Sequence, residues 1–336
     1  MGTSTPHHDS AAGTFEALYS PIMEALHDKR YKIAQIEDSG HLMTSYGLLH
    51  QRLARDIERT INLLKDYGDK RSKEDHMEAP RANPLDLLDS FQNCTYRAAE
   101  LFEFYEKDLI LYMGIKKSGR NLPAVENFQT KIRQYSKIWK IICNKCKHNH
   151  SFLVPIEGYY SSGERVLGFT LFTRKDDQIG PNKTLHKEAD VFSYNMVLRS
   201  LLADVMASDM ESAELIRAVS VENGSEKLKT ASNGLPYISV LKKIYKLPRL
   251  SFPRESNCPY RDIQLVDQEK VGISLVPTAF QGQAPCRLQI VLNFYGEKIK
   301  FILPYGTEVG DLGFSTDSDK PNPYFVRVVF NDHYVF

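Results

Sequence analysis

The chain has 336 residues, 42% hydrophobic and 25% charged, a balance that suits a folded protein of one or two domains and excludes a wholly disordered one. Its 43 Lys and Arg against 42 Asp and Glu leave a formal net charge of +1, so overall charge does not mark it as a polyanion binder. Five cysteines, an odd number without framework spacing, predict reduced thiols rather than a disulfide scaffold.

The start, Met1-Gly2-Thr3-Ser4-Thr5-Pro6-His7-His8-Asp9, has no basic stretch leading into an apolar one, and no secretory signal is expected. The apolar runs are short or broken by charge, well under the ~18–20 residues of a membrane-spanning helix. The expectation is a cytoplasmic protein with no membrane partner.

Phe15, Leu18, Ile22, Leu26 and Ile33 predict a helix over about 14–34, with Thr14 as its cap. Leu42, Tyr46, Leu49, Leu53, Ile57, Ile61 and Leu64 recur at steps of three and four and predict a long amphipathic helix over about 41–66. The charged stretch 67–83, with Gly68 and Pro80, reads as a loop. From Pro84, tolerated in a first turn, the series Leu87, Phe91, Cys94, Ala98, Leu101, Tyr105, Leu109 predicts another helix ending near Met113-Gly114. Pro123 opens a third, with Val125, Phe128, Ile132, Tyr135, Trp139, Ile142 and Cys146 on one face. Its other face carries Arg133, Lys137, Lys140, Asn144 and His148.

Beyond His150 a β-hairpin is predicted over about 151–173, and a helix returns over 190–206. From about Leu247 prolines and short β-rich runs dominate, with a hairpin turn at Tyr295-Gly296-Glu297 between two of them. The fold class read from this texture is α+β: an N-terminal helical bundle with an inserted β-hairpin, followed by a C-terminal β-rich domain. The boundaries are 1–38 for an N-terminal helical segment, 39–220 for the bundle and 221–336 for the β-rich part.

Chemistry concentrates at the end of the third helix. Between Lys116 and Lys147 stand nine cations, Lys116, Lys117, Arg120, Lys131, Arg133, Lys137, Lys140, Lys145 and Lys147, against the single acid Glu126. Such a stretch attracts phosphates, or is simply a solvated helix face. Arg133, Lys137 and Lys140 are the candidate nucleic-acid contacts. Asn144 and His148 lie one turn apart in Cys143-Asn144-Lys145-Cys146-Lys147-His148-Asn149, and an imidazole beside cations can move protons near neutral pH.

This run, late in a long helix and followed by a hairpin, resembles the HEPN superfamily of helical bundles and its relatives of unknown function in bacteria. The superfamily motif is an Arg, commonly followed by Asn, His or Asp, with a His four to six residues after the Arg. Asn144 and His148 match, and Cys143 stands where the Arg is expected. The resemblance covers about residues 40 to 210. It implies a metal-independent ribonuclease or RNA-binding protein working as a homodimer, in bacterial defence or a toxin–antitoxin pair. His148 would then be the general acid or base and Asn144 a positioning group, with Lys145 and Lys147 supporting the phosphate in place of the missing Arg. The rival reading is a non-catalytic dimeric scaffold or sensor whose β-rich region binds a protein partner, with His148 merely meeting the last carbonyls of its helix.

Cys143, Cys146, His148 and His150 invite a zinc reading, but four ligands within eight residues of one helix end do not readily surround a tetrahedral ion. A distant ligand such as Cys258, Cys286 or His186 would be needed. No metal and no cofactor are expected. Phosphate-loop, dinucleotide-binding and nucleophile-elbow motifs are absent from the sequence.

Overall fold

The computed structural model describes residues 14–16, 20–27, 31–32, 39–72, 84–114, 122–148, 151–159, 165–175, 178–186, 191–219, 221–222, 237–247, 251–252, 255, 261–265, 270–275, 287–294, 297–304 and 326–329. The described part is mostly helical, with a small antiparallel sheet.

The first helix is much shorter than its apolar spacing predicts. Residues Thr14–Glu16 form a strand, β1, and the helix α1 spans only Pro21–His27. The reason is local. Pro21 takes the first helical position, where a missing N–H costs nothing, and the Ser20 hydroxyl accepts the Met23 amide at 3.3 Å as an N-cap. A two-residue strand β2, Tyr31–Lys32, follows.

Helix α2 runs Ser39–Ser72, through the stretch from 67 that reads as a loop. Tyr67 is why: it is buried and continues the apolar face of Leu53, Ile57, Ile61 and Leu64. Helix α3, Pro84–Glu103, carries Asp86 in its first turn, where a carboxylate meets the positive helix end. Thr60 joins the two helices, its hydroxyl donating to the Asp56 carbonyl and lying 2.9 Å from Ser90 Oγ and 3.1 Å from Cys94 Sγ. The winding widens to a π-helical turn at Phe104–Asp108, then resumes as α4, Leu109–Tyr112, which ends on Gly114 with φ 58°.

Helix α5 spans Leu122–His148, burying Val125, Phe128, Ile132, Ser136, Trp139, Ile142 and Cys143. Strands β3, Ser151–Tyr159, and β4, Arg165–Lys175, pair antiparallel from Ser151↔Thr173 to Tyr159↔Arg165, so the predicted hairpin is present. Strand β5, Gln178–Pro181, and the short β6, Phe192–Ser193, both pair with β4.

Helix α6, Tyr194–Val219, extends thirteen residues past the predicted end at 206 and is buried on nearly every side. Ser208, Asp209 and Ser212 interrupt its apolar rhythm. They are accommodated because Ser208 and Ser212 donate back to the carbonyls of Asp204 and Ser208, at 2.8 and 2.7 Å. Strand β7, Val221–Glu222, pairs with β2.

Helix α7, Ile238–Tyr245, contributes Val240, Leu241 and Ile244 to the same core as α2 and α6, with Tyr237 just ahead of it. Arg199 of α6 donates to the Leu247 carbonyl at 2.9 Å. The Glu255 carboxylate, fully buried, accepts the Ser193 amide and hydroxyl and the Phe252 amide. Residues 237–247, 252 and 255 are thereby fastened to the bundle.

Further on, β8, Arg261–Leu265, pairs with β9, Lys270–Leu275, which also pairs with β1. Strands β10, Arg287–Phe294, and β11, Glu297–Pro304, form a second antiparallel hairpin. Strand β12, Val326–Val329, runs parallel to β3. These pairings do not by themselves establish a separate C-terminal β-rich domain. The basic linker 115–121, residues 149–150 and the turns at 160–164 and 295–296 lie outside the described residues.

Candidate functional site

The predicted row on α5 divides in two. At its C-terminal end Asn144, Lys147 and His148 are exposed, and Lys145 is half-buried. Lys147 lies 4.8 Å above the Tyr96 ring of α3, a cation–π contact that fixes where this end of α5 meets its neighbour. Cys143, where the resemblance expects Arg, faces inward at 4% exposure. Burial pushes its thiol up, and the Lys147 ammonium pulls partly back. Cys146 is half-buried, and its thiol is pushed up to about 11 by burial and then by Cys143. Neither is poised as a thiolate.

Upstream, the cations are already engaged. Glu106, in the π-helical turn, accepts from Arg133 Nε at 2.6 Å and from Lys140 Nζ. Burial raises the Glu106 carboxyl, but the bonds from Lys140 and Arg133 outweigh it and leave a net lowering. Lys131 is held by Glu211 of α6 at 2.7 Å. Lys137 is exposed, and of the three candidate nucleic-acid contacts it alone is not paired to a carboxylate among the described residues. The sequence pattern missed these acids because they lie outside the basic stretch.

The structure also assembles a buried polar cluster that no motif announced. Asp209 of α6 accepts from Tyr46 of α2 at 2.5 Å and from Tyr105 of the π-helical turn at 3.2 Å, and its other carboxyl oxygen lies 2.9 Å from the Ser20 hydroxyl. Tyr105 also meets His50 Nε2 at 2.8 Å, and Tyr237 meets His50 Nδ1 at 3.0 Å. Tyr46, Tyr105, Tyr237, His50 and Asp209 are each under 5% exposed. Burial holds the His50 pKa down to about 3, so the ring is neutral. The one advance signal was polar residues on an otherwise apolar α6, and the predicted end at 206 hid it.

Among the described residues no group of three or more His, Cys, Asp or Glu side chains is placed to hold a metal ion. His186, a distant zinc ligand in the sequence reading, instead accepts the Leu171 amide at 2.8 Å. Among the described helices none is long and apolar enough to cross a membrane. Comparison with protein-family models, with curated proteins and with solved structures finds no match to this chain.

Proposed function

We propose that the outer end of α5 binds RNA, in a HEPN-like helical bundle. The observation that carries this reading is the exposure of Lys137, Asn144 and His148 along one row of α5, with Lys147 steadied beside them over Tyr96. A solvated imidazole next to cations can stack on a base, meet a phosphate or exchange a proton. In cleavage His148 would be the acid or base, Asn144 would position, and Lys145 and Lys147 would support the phosphate. Arg133 and Lys140 contribute less than their charge suggests, because both are paired to Glu106, which offsets one of their two charges.

A second reading, a non-catalytic dimeric scaffold or sensor whose C-terminal β-rich region binds a protein partner, is favoured by Cys143. A buried thiol cannot supply the positive charge that the motif's Arg would bring.

The deciding measurement incubates wild-type protein, His148→Ala and Lys137→Glu with labelled RNA in EDTA, at two salt concentrations. RNA binding that weakens with salt and with Lys137→Glu is expected, and any cleavage should vanish in His148→Ala. Intact, unbound RNA throughout would overturn the reading in favour of the scaffold.

A further inference from the structure

Asp209 is 1% exposed and, among the described residues, makes no ion pair. Among the described side chains, the elements around it present these groups. The start of α1 brings the Ser20 hydroxyl and the Ile22 amide, and α2 brings Tyr46 and, behind it, His50. The π-helical turn brings Tyr105, and the segment before α7 brings Tyr237, which reaches the cluster through His50. Helix α5 directs Lys131 and Tyr135 to Glu211 and Trp139 to Asp204, on either side of Asp209.

Ser20 Oγ and Tyr46 Oη are also 2.5 Å from each other. Together with the carboxyl they make a closed triangle of three oxygen–oxygen contacts, at 2.5, 2.5 and 2.9 Å. Each is a hydrogen-bond distance and needs one hydrogen between its oxygens. Ser20 and Tyr46 supply one each, and an ionised carboxylate supplies none. Two hydrogens cannot fill three contacts. A neutral carboxyl provides the third: Asp209 Oδ2–H donates to Ser20 Oγ, Ser20 donates to Tyr46 Oη, and Tyr46 donates to Asp209 Oδ1.

We propose that Asp209 is protonated in this arrangement, and that the ring it closes with Ser20 and Tyr46 is a proton-operated latch holding the start of α1 against α2 and α6. Two features agree with the hydrogen count. Burial pushes the Asp209 carboxyl up to about 6, against the lowering effect of the bonds from Tyr46, Ser20, Tyr105 and the Ile22 amide. His50, neutral and bonded on both ring nitrogens to tyrosines, brings no positive charge to stabilise an anion. When the proton leaves, both hydroxyls turn to the carboxylate and the Ser20–Tyr46 contact is left with two facing lone pairs. Ser20 is the member that yields. It stands outside the long helices, at the cap of a helix of seven residues.

The test is amide hydrogen exchange at Ile22 and Met23 in the full chain, corrected for the intrinsic pH dependence, from pH 5 to pH 8. Wild-type protection should fall by about tenfold or more across that range, following the proton. Asp209→Asn, whose amide donates where the carboxyl proton did, should keep its protection at every pH. Protection in wild type that does not change with pH, or an Asn variant with the wild-type dependence, overturns the latch. If the variant does not fold, the carboxyl carbon shift of Asp209 in wild type decides. A protonated signal at pH 5 supports the proposal, and an ionised one refutes it.

Discussion

The Tyr105 hydroxyl meets His50 Nε2 at 2.8 Å from within the π-helical turn that interrupts the run from α3 to α4. A π turn advances less per residue than an α turn, so Phe104, Tyr105 and Glu106 can all stay on the buried side. Tyr105 thereby reaches the core and Glu106 reaches α5. The same irregular turn supports the buried cluster and neutralises part of the basic row.

Asp209 and His50 pull the stability of the fold in opposite directions with pH. Native Asp209 titrates at about 6 against an ordinary 3.8, so between those values the folded state holds more protons and its contribution falls as pH rises. Native His50 titrates at about 3 against 6.5, so the folded state holds fewer protons there and its contribution rises with pH. Each slope is on the order of 1.4 kcal/mol per pH unit, and the two offset between about pH 4 and 6. Urea unfolding of Asp209→Asn should therefore show stability lost on acidification across that window, while His50→Gln gains. Wild type and Asp209→Asn running parallel would mean that Asp209 titrates alike in both states.

Glu106→Gln should release Arg133 and Lys140 to solvent. On the RNA-binding reading, affinity rises and the salt dependence steepens by about one to two units of slope, since two more cations can meet phosphates. An unchanged salt slope would place those cations away from the bound strand.

A methyl group at Gly168 has no room. It would overlap the Phe192 carbonyl oxygen and lie 2.5 Å from Phe252 Cε2, where β4 crosses β6. Gly168→Ala should cost roughly 1–3 kcal/mol, read by thermal or urea unfolding. A variant as stable as wild type would show that β6 is free to shift.

Gly47 presents the opposite case. It lies inside α2, exposed, with open space where a Cβ would be. Gly47→Ala should stabilise by about 1 kcal/mol through helix propensity and the loss of backbone freedom in the unfolded chain. Destabilisation, with RNA binding unaltered, would point to a surface packed against that position in solution.

Helical faces were legible because burial repeats with the helix period: Leu53, Ile57, Ile61 on α2 and Phe128, Ile132, Trp139 on α5 are buried as their spacing requires. The extents of α1, α2 and α6 were not, because caps and tertiary packing set them. Ser20 and Pro21 start α1 late, Tyr67 carries α2 onward, and Ser208, Asp209 and Ser212 carry α6 through a polar stretch. Asn144 and His148, at one end of the candidate row, lie exposed on α5, one turn apart as their spacing requires. Its electrostatics were not legible, since Glu106 and Glu211 come from other parts of the chain. The buried cluster was hidden for the same reason: its six side chains come from five separate segments, each carrying one or two ordinary polar residues.

The packing of residues 237–247 and of Glu255 has a practical consequence for anyone dissecting the chain. Tyr237, Val240, Leu241, Ile244 and Leu247 lie in the core with α2 and α6, and Glu255 closes over the start of α6. A fragment cut near 220, where the texture of the sequence changes, would strip an apolar flank from two long helices and leave His50 without one of its tyrosines. The shortest piece worth expressing for the helical region therefore runs past Glu255.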